Sequence, residues 1–441
     1  MQKSLDQKLA AIHADPSGAK DFILADAKDA DMALGIGAPG RSPEMHAGEV
    51  RLRTLAEYRE QIRQIVRQGL VDIMLMSAST SALLTLDEGL FDQSHVTPAG
   101  RANDASDVFV VRGGKYLETP ARPFRTAALD HLQCGHLDCE PNERGRGANL
   151  GLYSVTFNNN LDDDLPVLEA YQAFRLEAEQ KGFRHFLEVF DPNAPRGLNA
   201  DQIPPFINDH IARTLAGVAP AGRPVFLKIV YHGPRSMEEL VQYDPHLIVG
   251  ILGGSAGTTY DAFKMLAEAK KYGARAALYG RKINSSECQL AFVHFLRLIA
   301  EDQIGPEEAV RAYHGVLEQL KIRPYRSLAD DMQLQTNVMS YARSGTAVPS
   351  LPAGVSESKA MRSAALPAAA AHDCGCGGSD PVQCECGPGS HENHPHPHKQ
   401  PRAAAPAANA DRSTAPPDFT AMSQAEKNAF HQANRDRVFG K

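Results

Sequence analysis

Eight short runs of β-branched and apolar residues, each followed by a stretch long enough for a helix, constrain the fold of this chain most. The runs are 22–26 (FILAD), 71–76 (VDIMLM), 125–129 (RTAAL), 150–157 (LGLYSVTF), 185–190 (HFLEVF), 225–231 (VFLKIVY), 247–252 (LIVGIL) and 275–279 (RAALY). Between them lie helical patterns such as LAEYREQIRQIVRQGL, VLEAYQAFRLEAEQKGF and TYDAFKMLAEAKKYGA. Two of these end in Gly-Phe or Gly-Ala just before the next strand, where a helix C-terminal glycine belongs. Strand–helix alternation repeated about eight times predicts a parallel sheet, closed into a (β/α)8 TIM barrel. An open doubly wound sheet is the alternative. Residues 85–124 fit least well, reading as a long Gly/Pro-containing connection with an extra hairpin in DVFVVRGGKYLE.

The barrel is expected over 21–342, preceded by an N-terminal extension over 1–20. With 441 residues, 43% of them hydrophobic, the chain has ample material for such a core. Composition shifts after Tyr341. Residues 343–370 and 400–417 are Ala/Pro-rich and 372–399 are Gly/Cys/His-rich, so 343–441 reads as a disordered tail. A short terminal helix bearing Phe419, Met422 and Phe430, with a Ser423–Glu426 capping box, would close it.

Formal net charge is −7, from 46 basic and 53 acidic residues mixed along the chain. No basic block tracks a phosphate backbone, which argues against nucleic acid as partner. No apolar stretch approaches the roughly 20 residues of a membrane span, and the first residues lack an apolar signal region. A cytoplasmic protein acting on a small molecule, assembled as a homo-oligomer, is the expectation.

Lys228 is the residue most suited to chemistry. In VFLKIVY, Phe226, Lys228 and Val230 share one face of the strand. Burial among apolar neighbours disfavours the ammonium and favours a neutral amine, the form a Schiff-base nucleophile needs. An outward-facing or purely structural lysine is the plainer alternative. On the preceding strand Phe186, Glu188 and Phe190 share a face, bringing a carboxylate to a similar height, where it can shuttle protons or simply neutralise the lysine. Asp26 lies near the end of the first strand, the end at which barrel active sites sit. Lys28 is a rival nucleophile, and Asp29 and Asp31 read as solvated loop or helix N-terminal residues.

Two consecutive strand ends look like an anion site: Gly253-Gly254-Ser255 before a helix opening near Thr258–Thr259, then Gly280, Arg281 and Lys282. Glycines admit a phosphate to the backbone, and helix N-terminal amides with an arginine neutralise it.

Together LADAKDADMA, HFLEVF, VFLKIVY, ILGGSAGT and YGRKIN resemble the class I (Schiff-base) aldolases of the tagatose-bisphosphate and archaeal-type fructose-bisphosphate group, over roughly 20–320. The resemblance implies a lyase acting on a keto-sugar phosphate, with no cofactor required. Lys228 would form the imine, Glu188 would shuttle protons and Asp26 would act on the substrate hydroxyl. Gly253, Gly254, Gly280 and Arg281 would hold the phosphate, with Ser255 beside them. Where such relatives usually carry a second lysine on the fourth strand, this chain offers Tyr153 and Asn158. With Lys28 they are the remaining substrate-binding candidates.

Other chemistries stay open. An isomerase or epimerase would use Glu188 and Asp26 without an imine. DHLQCGHLDCE, with Asp130, His131, Cys134, His136 and Cys139, is placed over the barrel mouth as a zinc-capable loop. With Glu188 and His232 it would support metal-dependent chemistry. In the tail, Cys374, Cys376, Cys384 and Cys386, followed by His391, His394, His396 and His398, suit zinc or copper(I). A barrel without catalysis, carrying this tail as a metal-responsive interaction module, is the non-enzymatic alternative. A chain ending near residue 345 is expected to give a soluble, folded barrel. Loss of soluble protein would show that the tail belongs to the fold.

Overall fold

The computed structural model describes residues 1–46, 49–254 and 257–336. Eight parallel strands close into a barrel in chain order. They are β1 (Ile23–Lys28), β2 (Ile73–Met76), β3 (Thr97–Arg101), β4 (Leu150–Thr156), β5 (Arg184–Phe190), β6 (Leu227–Ile229), β7 (Val249–Leu252) and β8 (Ala276–Tyr279). β8 pairs back on β1, with Asp26 opposite Tyr279. Inward positions fill the interior with Ile23, Ala25, Ile73, Leu75, Leu152, Phe186, Phe226, Ala276 and Leu278. Outward positions such as Leu24, Met74, Leu187 and Val249 pack under the helices. Both faces of each strand are therefore dry, as in parallel sheets generally.

Seven of the eight expected runs contain a barrel strand. The third does not: 125–129 is loop entering the short helix Leu129–Gln133, and the real third strand is Thr97–Arg101. Pro98 and Gly100 disguise it, because both residues ordinarily break strands. At its end the backbone of β3 pairs with β4 only through Gly100–Gly151 and Arg101–Leu152. DVFVVRGGKYLE forms no hairpin of its own. The ribbon in this region pairs Asp104–Ala105 with Pro123–Phe124, and a second ribbon pairs Arg41–His46 with Glu49–Leu52.

The first twenty residues contribute a helix, α1 (Ser4–Ala14), whose Leu5, Leu9 and Ile12 join the interior core and close the N-terminal end of the barrel. Lys8 Nζ meets Asp72 at 2.9 Å. Asp72 also accepts from the Leu24 amide and from Arg297 Nη2, 2.7 Å away. The outer layer includes α2 (Leu55–Gln68), opened by a Thr54–Glu57 capping box and closed by left-handed Gly69. It continues with α3 (Leu161–Gln180), α4 (Ile203–Ala216), α5 (Pro234–Tyr243), α6 (Thr259–Lys271), α7 (Gln289–Ala300) and α8 (Pro306–Gln319).

His185 is an outward residue of β5, bonded through Nε2 to the Tyr171 hydroxyl at 2.9 Å. Burial, helped by Arg175, pushes its pKa down to about 3. Because the folded state holds this pKa below the unfolded value, the neutral ring supports the fold above the unfolded pKa. That support is lost as pH falls from about 6.5 towards 3. His185→Gln is therefore expected to flatten the acid side of the stability profile. The difference from the unsubstituted protein should change by roughly 3–5 kcal/mol across that window in urea unfolding. A difference independent of pH would exclude the assignment.

Candidate active site

Lys228 and Glu188 are register partners on β6 and β5. Both point into the barrel one layer above Phe186 and Phe226, whose rings stack at 4.6 Å. Moving up by one inward layer carries the side chains towards the C-terminal end of the strands, the catalytic end of such barrels. Lys228 Nζ lies 2.6 Å from Glu188 Oε1, and the two side chains are 9% and 3% exposed. The other Glu188 oxygen accepts from Ser154 Oγ of β4 at 2.7 Å. Both carboxylate oxygens are thus held, which fixes the face that Glu188 presents to the amine.

Around this pair the mouth is crossed by charges that the strand ends bring together. Arg101, the last residue of β3, donates to Asp29 at 2.6 Å and to the Asn103 carbonyl at 2.9 Å. Its Nη2 lies 3.5 Å from Ser154 Oγ. Burial works against the Arg101 cation, but Asp29 and Glu188 outweigh it and hold its pKa above the usual value. Arg281, after β8, is lowered by burial while Glu188 and Asp29 pull the other way. Asp107 accepts from Thr156 Oγ1 at 2.6 Å, and burial raises its pKa. His232 and Asp191, beyond β6 and β5, meet at 2.8 Å.

Four of the expected site residues, Asp26, Lys28, Tyr153 and Asn158, are engaged in other contacts. Asp26 points outward, since Ala25 and Ala27 take the inward positions of β1. It faces Lys28, 3.0 Å away, in a pocket with no exposure. Lys28 there donates to Asn284 and Gln289 at 2.5 and 2.9 Å. Burial raises Asp26 to about 6 against the pull of Lys28, and burial lowers Lys28. This sealed pair has no route to a substrate at the mouth. Tyr153 also faces outward, stacked on Phe174 at 4.4 Å, with burial pushing its hydroxyl up to about 12. Asn158 is occupied as a loop staple, donating to Asn193 and accepting from the Ala194 amide.

Asp29, expected as a solvated loop or helix N-terminal residue, does precede a short helix, Ala30–Leu34, but it is buried and continues the inward parity of β1 to the mouth. Strict alternation from Ala25 and Ala27 would have found it. Arg101 was hidden with its strand, and Ser154 is an inward residue of a run read mainly for its tyrosine.

The glycine-marked strand ends adjoin, but packing explains two of the glycines. A Cβ at Gly253 would sit 2.2 Å from the Tyr279 ring, and one at Gly280 would sit 2.5 Å from the Ala27 carbonyl. Gly254 has a left-handed φ of +58°. Ser255 lies outside the described residues, as do Cys374, Cys376, Cys384 and Cys386. The α6 amides expected to bind an anion are already used. Thr258 donates to Asp261 at 2.7 Å and Thr259 to Asp331 at 2.8 Å. A small cavity lined by Thr259, Lys282, Glu287, Arg326 and Asp331 opens beside this helix start, away from Lys228. Burial pushes Lys282 down to about 8. Of the residues at these two glycine-marked strand ends, Arg281 is a buried cation that feels the Glu188 and Asp29 charges.

The loop containing Cys134, His136 and Cys139 is not at the mouth. Gly147 and Ala148 donate to the Gln133 and Leu132 carbonyls, and Gln133 reaches Asn149, the residue before β4. The loop therefore lies at the N-terminal end of the barrel. It enters a strand, whereas an active-site loop would leave one.

No helix among the described residues is long and apolar enough to cross a membrane. No family model matches the chain, and no curated protein does. Among solved structures it is similar to an archaeal fructose 1,6-bisphosphate aldolase, 14% identical, covering 67% of this chain and 99% of that one with a TM-score of 0.48. It is likewise similar to a fructose-bisphosphate aldolase from Slackia heliotrinireducens, at 13% identity, 70% and 91% coverage and a TM-score of 0.49. A Schiff-base-forming fructose-1,6-bisphosphate aldolase stands at 14% identity, 67% and 100% coverage and a TM-score of 0.47.

Proposed function

We propose that this chain is a class I aldolase-like lyase that makes or breaks a C–C bond in a phosphorylated ketose or related sugar through an imine at Lys228. The observation that carries this reading is the 2.6 Å contact between Lys228 Nζ and Glu188 Oε1 inside the catalytic end of the barrel. Glu188 takes a proton from the ammonium, and the freed amine attacks the substrate ketone to give a carbinolamine. The same carboxyl, protonated, donates to the departing hydroxyl, so that water leaves and an iminium remains. As a carboxylate takes the proton of the substrate hydroxyl, the iminium accepts the electron pair of the breaking C–C bond and becomes an enamine. Protonation of the enamine carbon restores an iminium, whose hydrolysis regenerates the lysine. No cofactor enters these steps.

Asp26 cannot serve the substrate hydroxyl from its outward pocket. Asp29, held by Arg101, takes over that role in the reading we favour. Arg281, with Gly253, Gly254 and Gly280 around it, neutralises the substrate phosphate. A second reading shares the same pair: Glu188 as acid–base in a sugar-phosphate isomerase, with Lys228 as a noncovalent electrophile.

Incubation with ketose phosphates and borohydride is expected to reduce the imine and leave a mass adduct on Lys228, absent in Lys228→Met. Turnover without any adduct favours isomerisation, and an adduct on Lys28 would overturn the assignment of the nucleophile. Glu188→Gln is expected to slow imine trapping by about 10²–10⁴-fold, while Asp26→Asn leaves trapping intact in whatever folded protein it yields. Equal trapping rates in Glu188→Gln and the parent protein would remove Glu188 from the chemistry.

A further inference from the structure

Cys134 and Cys139 are joined as a disulfide in the loop that enters β4. They are 5% and 6% exposed, so the sulfurs sit beneath the loop surface. Both approach the His136 carbonyl, at 3.3 and 3.9 Å. His136 Nδ1 lies 2.9 Å from the Leu137 carbonyl. A carbonyl only accepts, so Nδ1 donates to it, which leaves Nε2 as the nitrogen a metal would take once its proton is displaced. That Nε2 lies 3.4 Å from Glu143 Oε2. Glu143 is itself held by the Glu140 amide and by Arg146.

The donor atoms of Cys134, His136 and Glu143 all lie within 4.8 Å of one another. A tetrahedral zinc with bonds of about 2.0–2.3 Å separates its donors by roughly 3.3–3.8 Å. The His136–Glu143 distance already falls in that range. An ion pair alone is a weak reason for this arrangement, because His136 is 54% exposed and exposed pairs contribute little. Two sulfurs, an imidazole and a carboxylate within ten residues suit zinc in both softness and number.

We propose that in the reduced protein Cys134, His136, Cys139 and Glu143 hold one zinc ion, and that the disulfide is the metal-free alternative state of the same loop. A dithiol reductant supplies two electrons and two protons to the disulfide and itself becomes a disulfide. Zinc then displaces both thiol protons. In the reverse direction a peroxide takes two electrons from the thiolates and two protons from solvent, giving two waters, the S–S bond and free zinc. Because the loop enters β4 from the N-terminal end, the ion acts on stability and leaves the chemistry at Lys228 untouched.

The test uses the full-length chain with Cys374, Cys376, Cys384 and Cys386 replaced by serine, so that the tail thiolates do not compete. After phosphine reduction, cobalt(II) titration is expected to give one equivalent of tetrahedral ligand-field bands with thiolate charge transfer. Peroxide should abolish both, and zinc should displace the cobalt. Cys139→Ser is expected to remove most of the charge transfer. His136→Ala, at an exposed position that leaves the fold intact, should weaken cobalt binding by more than the roughly 10–100-fold that loss of an outer-shell partner costs. Absence of tetrahedral bands in the reduced, folded tail-serine protein would overturn the proposal. So would bands unchanged by both substitutions, which would point instead to Cys288, the free cysteine among the described residues.

Discussion

Every strand of this barrel is dry on both faces, and that constraint governs each charged side chain it carries. A buried ion without a partner is too costly to keep, so the strand charges occur in contact with one another. β1 places Lys28 and Asp26 outward, under the helices, where neither has any exposure. β5 and β6 place Glu188 and Lys228 inward and upward, where the lysine keeps a small opening to the mouth. The two pairs are chemically alike, an amine and a carboxylate at about hydrogen-bond distance. What separates them is the side of the strand and the access that goes with it.

That difference also marks how far the sequence can be read. The barrel is legible because seven runs carry the apolar signature of doubly buried strands, and the pairing of Lys228 with Glu188 follows from alternation within two adjacent runs. β3 is not legible. Thr-Pro-Ala-Gly-Arg has the composition of a turn, and only its neighbours β2 and β4 make it a strand. Missing it hid Arg101, and through Arg101 the importance of Asp29. Nearness to the strand end points to Asp26, whereas parity with Ala25 and Ala27 turns it outward. Tyr153 and Asn158 are consumed by packing and by a loop contact that only tertiary neighbours reveal.

Misplacing one strand also exchanges the two ends of the barrel for whatever follows it. The Cys134–Cys139 loop, counted as leaving a strand, belongs over the active site. Counted as entering β4, it belongs at the opposite end, beside Asn149 and Lys181. Strand direction, with no change in local sequence, decides whether a cysteine-rich loop touches substrate or props up the scaffold. The glycines after β7 and β8 carry a similar lesson. Their nearest demand is the Tyr279 ring and the Ala27 carbonyl, so close packing accounts for both glycines without any ligand.

The plug at the N-terminal end joins distant parts of the chain. Asp72 is shared by Lys8 from α1 and Arg297 from α7, partners separated by 64 and 225 residues from it. During synthesis, α1 emerges long before the helix that completes its anchor, and β1 must wait for β8 before its second edge is covered. Such long-range closure makes for slow folding and exposes unpaired edges in the interim. The nascent protein would thus spend its vulnerable period as an incomplete, open-edged sheet. A chaperone that shields strand edges would act on it most usefully between the appearance of β1 and that of α7.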